Sequence, residues 1–171
     1  MAGMDAAALR GWLVGRLPDG WFVEPAEVVT DRDEIFVRGV LPEPEVPADA
    51  DASVREAACM ARVRRFREET REHRMAVAAE LEACDGRKVA WGVRCGPVEQ
   101  AFTQLGVPVM TRLRQPERLV LDTLIDAGVA RSRSEALAWC VRLVGRHQAD
   151  WIAQLRDALA HVEQVRAAGP S

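Results

Sequence analysis

Arg112 and Arg114 lie two residues apart in the alternating stretch Val109-Met110-Thr111-Arg112-Leu113-Arg114. In a strand, successive side chains face opposite sides. Met110, Arg112 and Arg114 would therefore share one face, and Val109, Thr111 and Leu113 the other. The opposite phase would bury Arg112, which is costly without a partner. A guanidinium held on the outward face can donate two hydrogen bonds to O6 and N7 of guanine. Further along, Ser132-Arg133-Ser134-Glu135 has the spacing of a capping box, with Ser132 as cap and Glu135 reaching back. The free N–H groups at such a helix start attract anions. The chemistry available is hydrogen bonding to base edges from the strand face and anion binding at the helix start.

These side chains need elements to hold them. A lone strand cannot satisfy its own backbone N–H and C=O groups. The same strand of a second copy can, which predicts an intertwined dimer with a two-stranded ribbon of a size that fits the major groove. Taken alone, the stretch would equally suit an ordinary sheet strand with a solvated arginine face. The residues C-terminal to it narrow the choice. Pro116 suits a first helical turn, where its missing N–H costs nothing. Leu119, Val120, Leu121, Leu124 and Ile125 give that helix an apolar face, and Gly128 can end it in the left-handed conformation. A second helix runs through Ala136, Leu137, Cys140, Leu143 and Val144. Ile152, Leu155, Leu159 and Val162 then mark an extra C-terminal helix, whose stripe would bury against the N-terminal region or a partner subunit.

The order of strand, capped helix, glycine turn and S-R-S-E helix, over about residues 107–145, resembles the ribbon-helix-helix family of DNA-binding proteins, which includes the Arc and methionine repressors. The resemblance implies a homodimer, or a dimer of dimers, on double-stranded DNA. It implies that Met110, Arg112 and Arg114 face the bases. It implies that Arg131, Ser132, Arg133 and Ser134, at the second helix start, hold a phosphate. Two departures stand out. Arg114-Gln115-Pro116 is about one residue longer than in many members, which would shift the ribbon register. The motif also lies late in the chain, whereas many antitoxins of that family place it first.

Upstream, Asp5 can cap a helix to about Leu17. Trp21 to Thr30 and Glu34 to Leu41 read as two strands of a hairpin, with Pro25 keeping the first at an edge or in a bulge. Residues 42–52 (PEPEVPADADA) read as an acidic connector. From Asp51 or Ser53 to Cys84 a single long helix is predicted, with Val63, Phe66, Thr70, His73, Val77, Leu81 and Cys84 along one side. The arginines and glutamates opposite read first as a solvated face. A sharper alternative is an auxiliary phosphate-contacting face, since seven arginines between Arg55 and Arg74 outnumber four glutamates. Lys88 to Arg94 reads as a strand with a bulge at Gly92, and Val98 to Leu105 as one or two helical turns. The expected class is α+β. A domain over 1–106, built from the hairpin and the long helix, precedes a ribbon-helix-helix dimerisation unit with its extra helix over 107–171.

The net charge of −3 does not advertise a nucleic-acid binder, but its distribution is uneven. Residues 1–52 hold 4 arginines against 11 acids, whereas residues 107–171 hold 9 arginines against 7 acids. DNA binding would thus rest on a few placed arginines. Lys88 is the only lysine, a bias that points to a GC-rich, actinobacterium-like genome. The four cysteines are scattered, and their spacing with His73 supports no zinc site. No cofactor is expected. No apolar run approaches the roughly 18 residues of a membrane span, and the first residues lack the pattern of a signal peptide, so a cytoplasmic protein is expected, and the DNA-binding resemblance implies that it is nucleoid-associated. No phosphate-cradling glycine loop, H-E-x-x-H or G-x-S-x-G occurs, so an enzyme is not expected. Trp12, Trp21 and Trp91 could line a ligand pocket, although tryptophan clusters are more often core. The alternative function is a protein-interaction or antitoxin-like module, in which the C-terminal unit only dimerises and residues 1–106 hold a protein partner.

Overall fold

The computed structural model describes residues 3–169, with only the backbone at position 163. The chain is α+β, with one four-stranded sheet and six helices among the described residues, divided into units Met1–Pro108 and Val109–Ser171.

In the first unit, α1 (Ala6–Arg16) starts at Asp5, whose carboxylate accepts from Ala8 N at 2.7 Å. The strands are β1 (Glu27–Thr30), β2 (Glu34–Val40), β3 (Lys88–Cys95) and β4 (Val98–Ala101), in that spatial order. β1 and β2 are antiparallel across a turn where Asp31 Oδ1 accepts from Asp33 N and Glu34 N. β2 and β3 are parallel, joined by a crossover through α2 (Ala52–Glu69) and α3 (Arg71–Asp85). β4 returns antiparallel on β3. The N-terminal hairpin is therefore half of a larger sheet. Ile35 and Val37 of β2 and Trp91, Val93 and Cys95 of β3 are buried against Leu9 and Leu13 of α1, Cys59, Val63 and Phe66 of α2, and Val77 and Leu81 of α3. Burying a side chain of this size is worth about 1.5–3 kcal/mol, so this unit has a core of its own.

Four expectations change. The first strand begins at Glu27, beyond Pro25, and only Val23 N reaches back to Val40 O, at 2.9 Å. Gly92 forms no bulge: it pairs with both Arg38 and Ala101, and it is glycine because a Cβ there would lie 2.6 Å from the Phe36 ring. The helical turns expected after Pro97 are instead the edge strand β4. The single long helix is two helices that meet at Thr70. There the Thr70 hydroxyl donates to Phe66 O at 2.6 Å and accepts from Arg74 Nε at 2.9 Å. Arg74 Nη2 donates to Arg67 O at 2.7 Å. A hydroxyl and a guanidinium thus occupy carbonyls of the last turn of α2, a recognised cause of a kink.

α3 ends at Gly86, which adopts φ 92°. The preceding residue, Asp85, is buried. Its carboxylate accepts from Met4 N at 2.6 Å and from Arg87 Nε at 2.6 Å, while Arg87 Nη2 donates to Met4 O. One ion pair thereby ties the chain's start to the end of α3. The Arg87 guanidinium, aided by the Met4 N–H, holds the Asp85 carboxyl down at about 2, against an ordinary 3.8. A lowered carboxyl pKa stabilises the fold above the unfolded value and is lost as pH falls through the folded value. The difference is worth roughly 2 kcal/mol. Asp85→Asn should remove about that much at pH 7 and flatten the loss of stability between pH 4 and 2. Urea unfolding across that range checks it, and an acid limb like that of the unaltered protein would rule it out.

The second unit holds α4 (Gln115–Asp126), α5 (Arg133–His147) and α6 (Ala149–Ala168). Pro116 lies in the first turn of α4, and Gly128, at φ 73°, follows its end. Ser132 caps α5 by accepting from Glu135 N at 3.2 Å. The buried core is small: Leu121, Ala130 and Ala136, edged by Leu113, Leu124, Leu137 and Cys140. Leu119, Val120, Val141, Val144, Trp151 and Leu159 remain exposed. None of the helices among the described residues is long and apolar enough to cross a membrane.

Candidate nucleic-acid interface

No strand forms over Val109–Leu113. Residues 103–114 carry no regular element. No hydrogen bond from the backbone of Val109 to Arg112 is present among the described residues. Met110 is 97% exposed, and Arg112 and Arg114 are exposed too. Of the three side chains expected to face inward, only Leu113 does so, against the small core. Val109 is 84% exposed and Thr111 is also exposed. Leu113 is held there by Arg118, whose Nη1 donates to Leu113 O at 2.7 Å. Arg114 is the N-cap residue of α4, in extended conformation at φ −80°, ψ 173°.

The start of α5 is more crowded than its spacing suggests. Glu135 does reach back, but to Arg131 N, at 2.9 Å, and its carboxylate also lies 3.4 Å from Arg131 Nε. Arg133 forks onto Asp122 of α4, with Nε–Oδ1 and Nη2–Oδ2 both 2.8 Å. That pair lowers the Asp122 pKa and raises that of Arg133. The Arg131 backbone N–H, then its side chain, lowers Glu135. Arg131 and Arg133 therefore already face carboxylates, and Ser132 is spent on its cap. Ser134 remains exposed.

Met110, Arg118, Arg133 and Ser134 line one open groove. Arg112 and Arg114 are not among its lining residues, but neither has a carboxylate within 4 Å among the described residues. Two residues were missed in the sequence. Arg118 stands four positions after Arg114, a helical spacing that could have drawn attention to it. Asp122 became visible only when α4 packed on α5, since nothing in its local sequence points to Arg133. Among the described residues no cluster of His, Cys, Asp and Glu could hold a metal ion.

The comparisons with known proteins overturn one expectation. Residues 7–101 match the family model of the Rv1265-like protein N-terminal domain, and residues 114–166 match that of the Mb1296 C-terminal domain. No ribbon-helix-helix family is recognised, and the resemblance drawn over residues 107–145 is corrected accordingly. Its components (a helix with an early proline, a glycine stop, a capping box) occur in many helix pairs, and the ribbon that would have distinguished them is not formed. The uncharacterized proteins Rv1265 of Mycobacterium tuberculosis (strain ATCC 25618 / H37Rv) and Mb1296 of Mycobacterium bovis are each 53% identical to the chain over 166 residues, covering 97% of this chain and 72% of theirs. No solved structure matches.

Proposed function

The chain belongs to the family of Rv1265-like proteins. From its own residues, we propose that it acts as a dimeric DNA-binding protein, a transcriptional regulator or nucleoid-associated factor. Residues 109–114 of two copies would pair as an antiparallel ribbon and enter the major groove, with Arg112 and Arg114 facing the bases. One observation carries this: the two arginines without carboxylate partners lie on an exposed stretch in which the backbone of Val109 to Arg112 makes no hydrogen bond among the described residues. The exposed apolar side chains of α4, α5 and α6, beside a buried core of Leu121, Ala130 and Ala136 among the described residues, support a partner copy that would cover them. Ser134 and the N–H groups of the first turn of α5 would take a phosphate.

Binding to duplex DNA should weaken as salt rises. At a preferred site, Arg112→Ala and Arg114→Ala should each cost about 1–3 kcal/mol and relax discrimination. Electrophoretic or fluorescence titrations against preferred and scrambled duplexes measure this. No binding at low salt, or equal losses on both duplexes, would remove the base-reading role.

A second possibility has an observation of its own. Because Asp122 and Glu135 already neutralise Arg133 and Arg131, the phosphate-holding helix start is weaker than its residues alone imply. A dimer that ignores DNA and captures a protein through residues 1–106 would then be the function. A pull-down with the full chain, followed by DNA titration of the same preparation, separates the two.

A further inference from the structure

The arginines of α2 and α3 are not distributed like the rest of the charges in the first unit. Across the sheet and its flanks most cations are matched with carboxylates (Arg16 with Glu80, Arg38 with Glu27 and Glu99, Arg87 with Asp85, Lys88 with Glu82 and Arg94 with Glu24), and the unmatched Arg10 and Arg32 stand singly rather than in a row. Arg64, Arg67, Arg71 and Arg74 follow steps of three, four and three residues, which puts them along one side of the α2–α3 pair. None of the four has a carboxylate within 4 Å among the described residues, although Glu68 and Glu72 are their neighbours in sequence. Arg64, Arg67 and Arg71 are exposed.

The stripe also has a built floor. Arg74 is 6% exposed, and its guanidinium carbon lies 4.6 Å from the centre of the Phe102 ring. Arg67 approaches the same ring at 5.7 Å. Two guanidinium groups over one aromatic ring concentrate positive charge where no side-chain carboxylate lies within 4 Å among the described residues. Burial together with Arg67 and Arg71 pulls the Arg74 pKa down to about 10, a mark of that crowding. In a chain with more acids than bases, these unmatched arginines leave a local excess of positive charge that an outside polyanion can meet.

We propose that Arg64, Arg67 and Arg71, with Arg74 beneath them, form a second nucleic-acid surface on the N-terminal unit, one that binds backbone phosphates without reading bases. The linear, repeated placement suits a polyanion better than a single carboxylate or phosphate, because each successive arginine advances about 4.5–6 Å along the helices. Phe102 is buried and already covered by guanidinium groups, so it offers no stacking platform for a base, and the surface is indifferent to sequence. It does not require Arg112 and Arg114 to read bases.

The test uses the full chain and a random-sequence duplex, titrated over a range of salt. The triple variant Arg64→Gln, Arg67→Gln, Arg71→Gln leaves Arg74 and the kink in place, and its unfolding midpoint verifies that it folds. A control removes the same charge elsewhere in the unit, with Arg10→Gln, Arg32→Gln and Arg94→Gln. The slope of log affinity against log salt should become shallower by about 2–3 in the triple variant, as expected for three lost phosphate contacts. The control should change it by less than 1. An unchanged slope, an equal change in the control, or no binding by the unaltered chain at low salt overturns the proposal. A shallower slope in the triple variant, found in a protein that shows no sequence preference, upholds the stripe and removes only the role of Arg112 and Arg114.

Discussion

Replacing Arg74 with methionine should cost the first unit about 3 kcal/mol of stability. Methionine keeps the length and apolar body of the side chain, so the loss measures the guanidinium rather than a cavity. Two opposing effects set the magnitude. Arg74 is buried with no carboxylate facing it, and removing a buried charge relieves desolvation. Against that, its Nη2–Arg67 O and Nε–Thr70 Oγ1 bonds are charge-assisted and worth about 1.5–3 kcal/mol each. The Phe102 face adds about 1–2 kcal/mol more for a desolvated guanidinium. The positive group also sits at the C-terminal end of α2, where the helix dipole favours it. Its removal leaves Arg67 O without that donor at the kink. The bonding terms therefore outweigh the relief. Arg74→Lys should recover little, because an ammonium cannot fork between two acceptors while lying over a ring. Chemical unfolding of both variants decides it, and a methionine variant as stable as the parent would mean that the kink is held by Thr70 alone.

The same kink marks the limit of what local sequence could convey. Where a feature depends on residues within one turn, its position was legible: Asp5 and Ser132 cap the helices they were expected to start, and of the two residues offered for the start of α2, Asp51 rather than Ser53 is the cap. The alternation of β2 is likewise local. The apolar spacing from Val63 to Cys84 runs through Thr70 without a break, so periodicity alone indicates one helix. The break exists because Arg74 reaches back to Arg67 O while lying on Phe102, a residue from beyond β4. β4 was missed for a related reason. Val98-Glu99-Gln100-Ala101 has little strand character, and it is extended because the open edge of β3 takes its backbone bonds. At the candidate interface, residue types were legible but their pairing was not. Ser132, Arg133 and Glu135 suggested a free anion site, and Asp122, brought in by the packing of α4 on α5, closes half of it. The family resemblance failed for that reason as well. It rested on features each set within a few residues, whereas the element that would have distinguished it needs a second chain.

That need makes the segment itself the sharpest place to test the proposed dimer. Met110→Pro and Thr111→Pro, made separately, should affect dimerisation unequally. In an antiparallel pair, successive N–H groups point alternately toward the partner strand and away from it. Proline removes one N–H, so one of the two positions must lose a ladder bond and the other must not. By symmetry the loss occurs twice per dimer, about 3 kcal/mol in all, which is on the order of a hundredfold in the dissociation constant. The other variant should change it several-fold at most. The fold of the isolated chain is not at stake, because the backbone of Val109 to Arg112 makes no hydrogen bond within it among the described residues. Far-UV circular dichroism and the unfolding midpoint of the first unit should therefore match the parent in both variants. Sedimentation equilibrium over a range of concentrations gives the dissociation constants, and the weaker dimer should lose DNA affinity in step. Equal effects at the two positions would mean that the segment contacts its partner as an irregular loop. No effect at either would place the dimer contact on the apolar faces of α4 to α6 alone, leaving Arg112 and Arg114 without the ribbon that would aim them at bases.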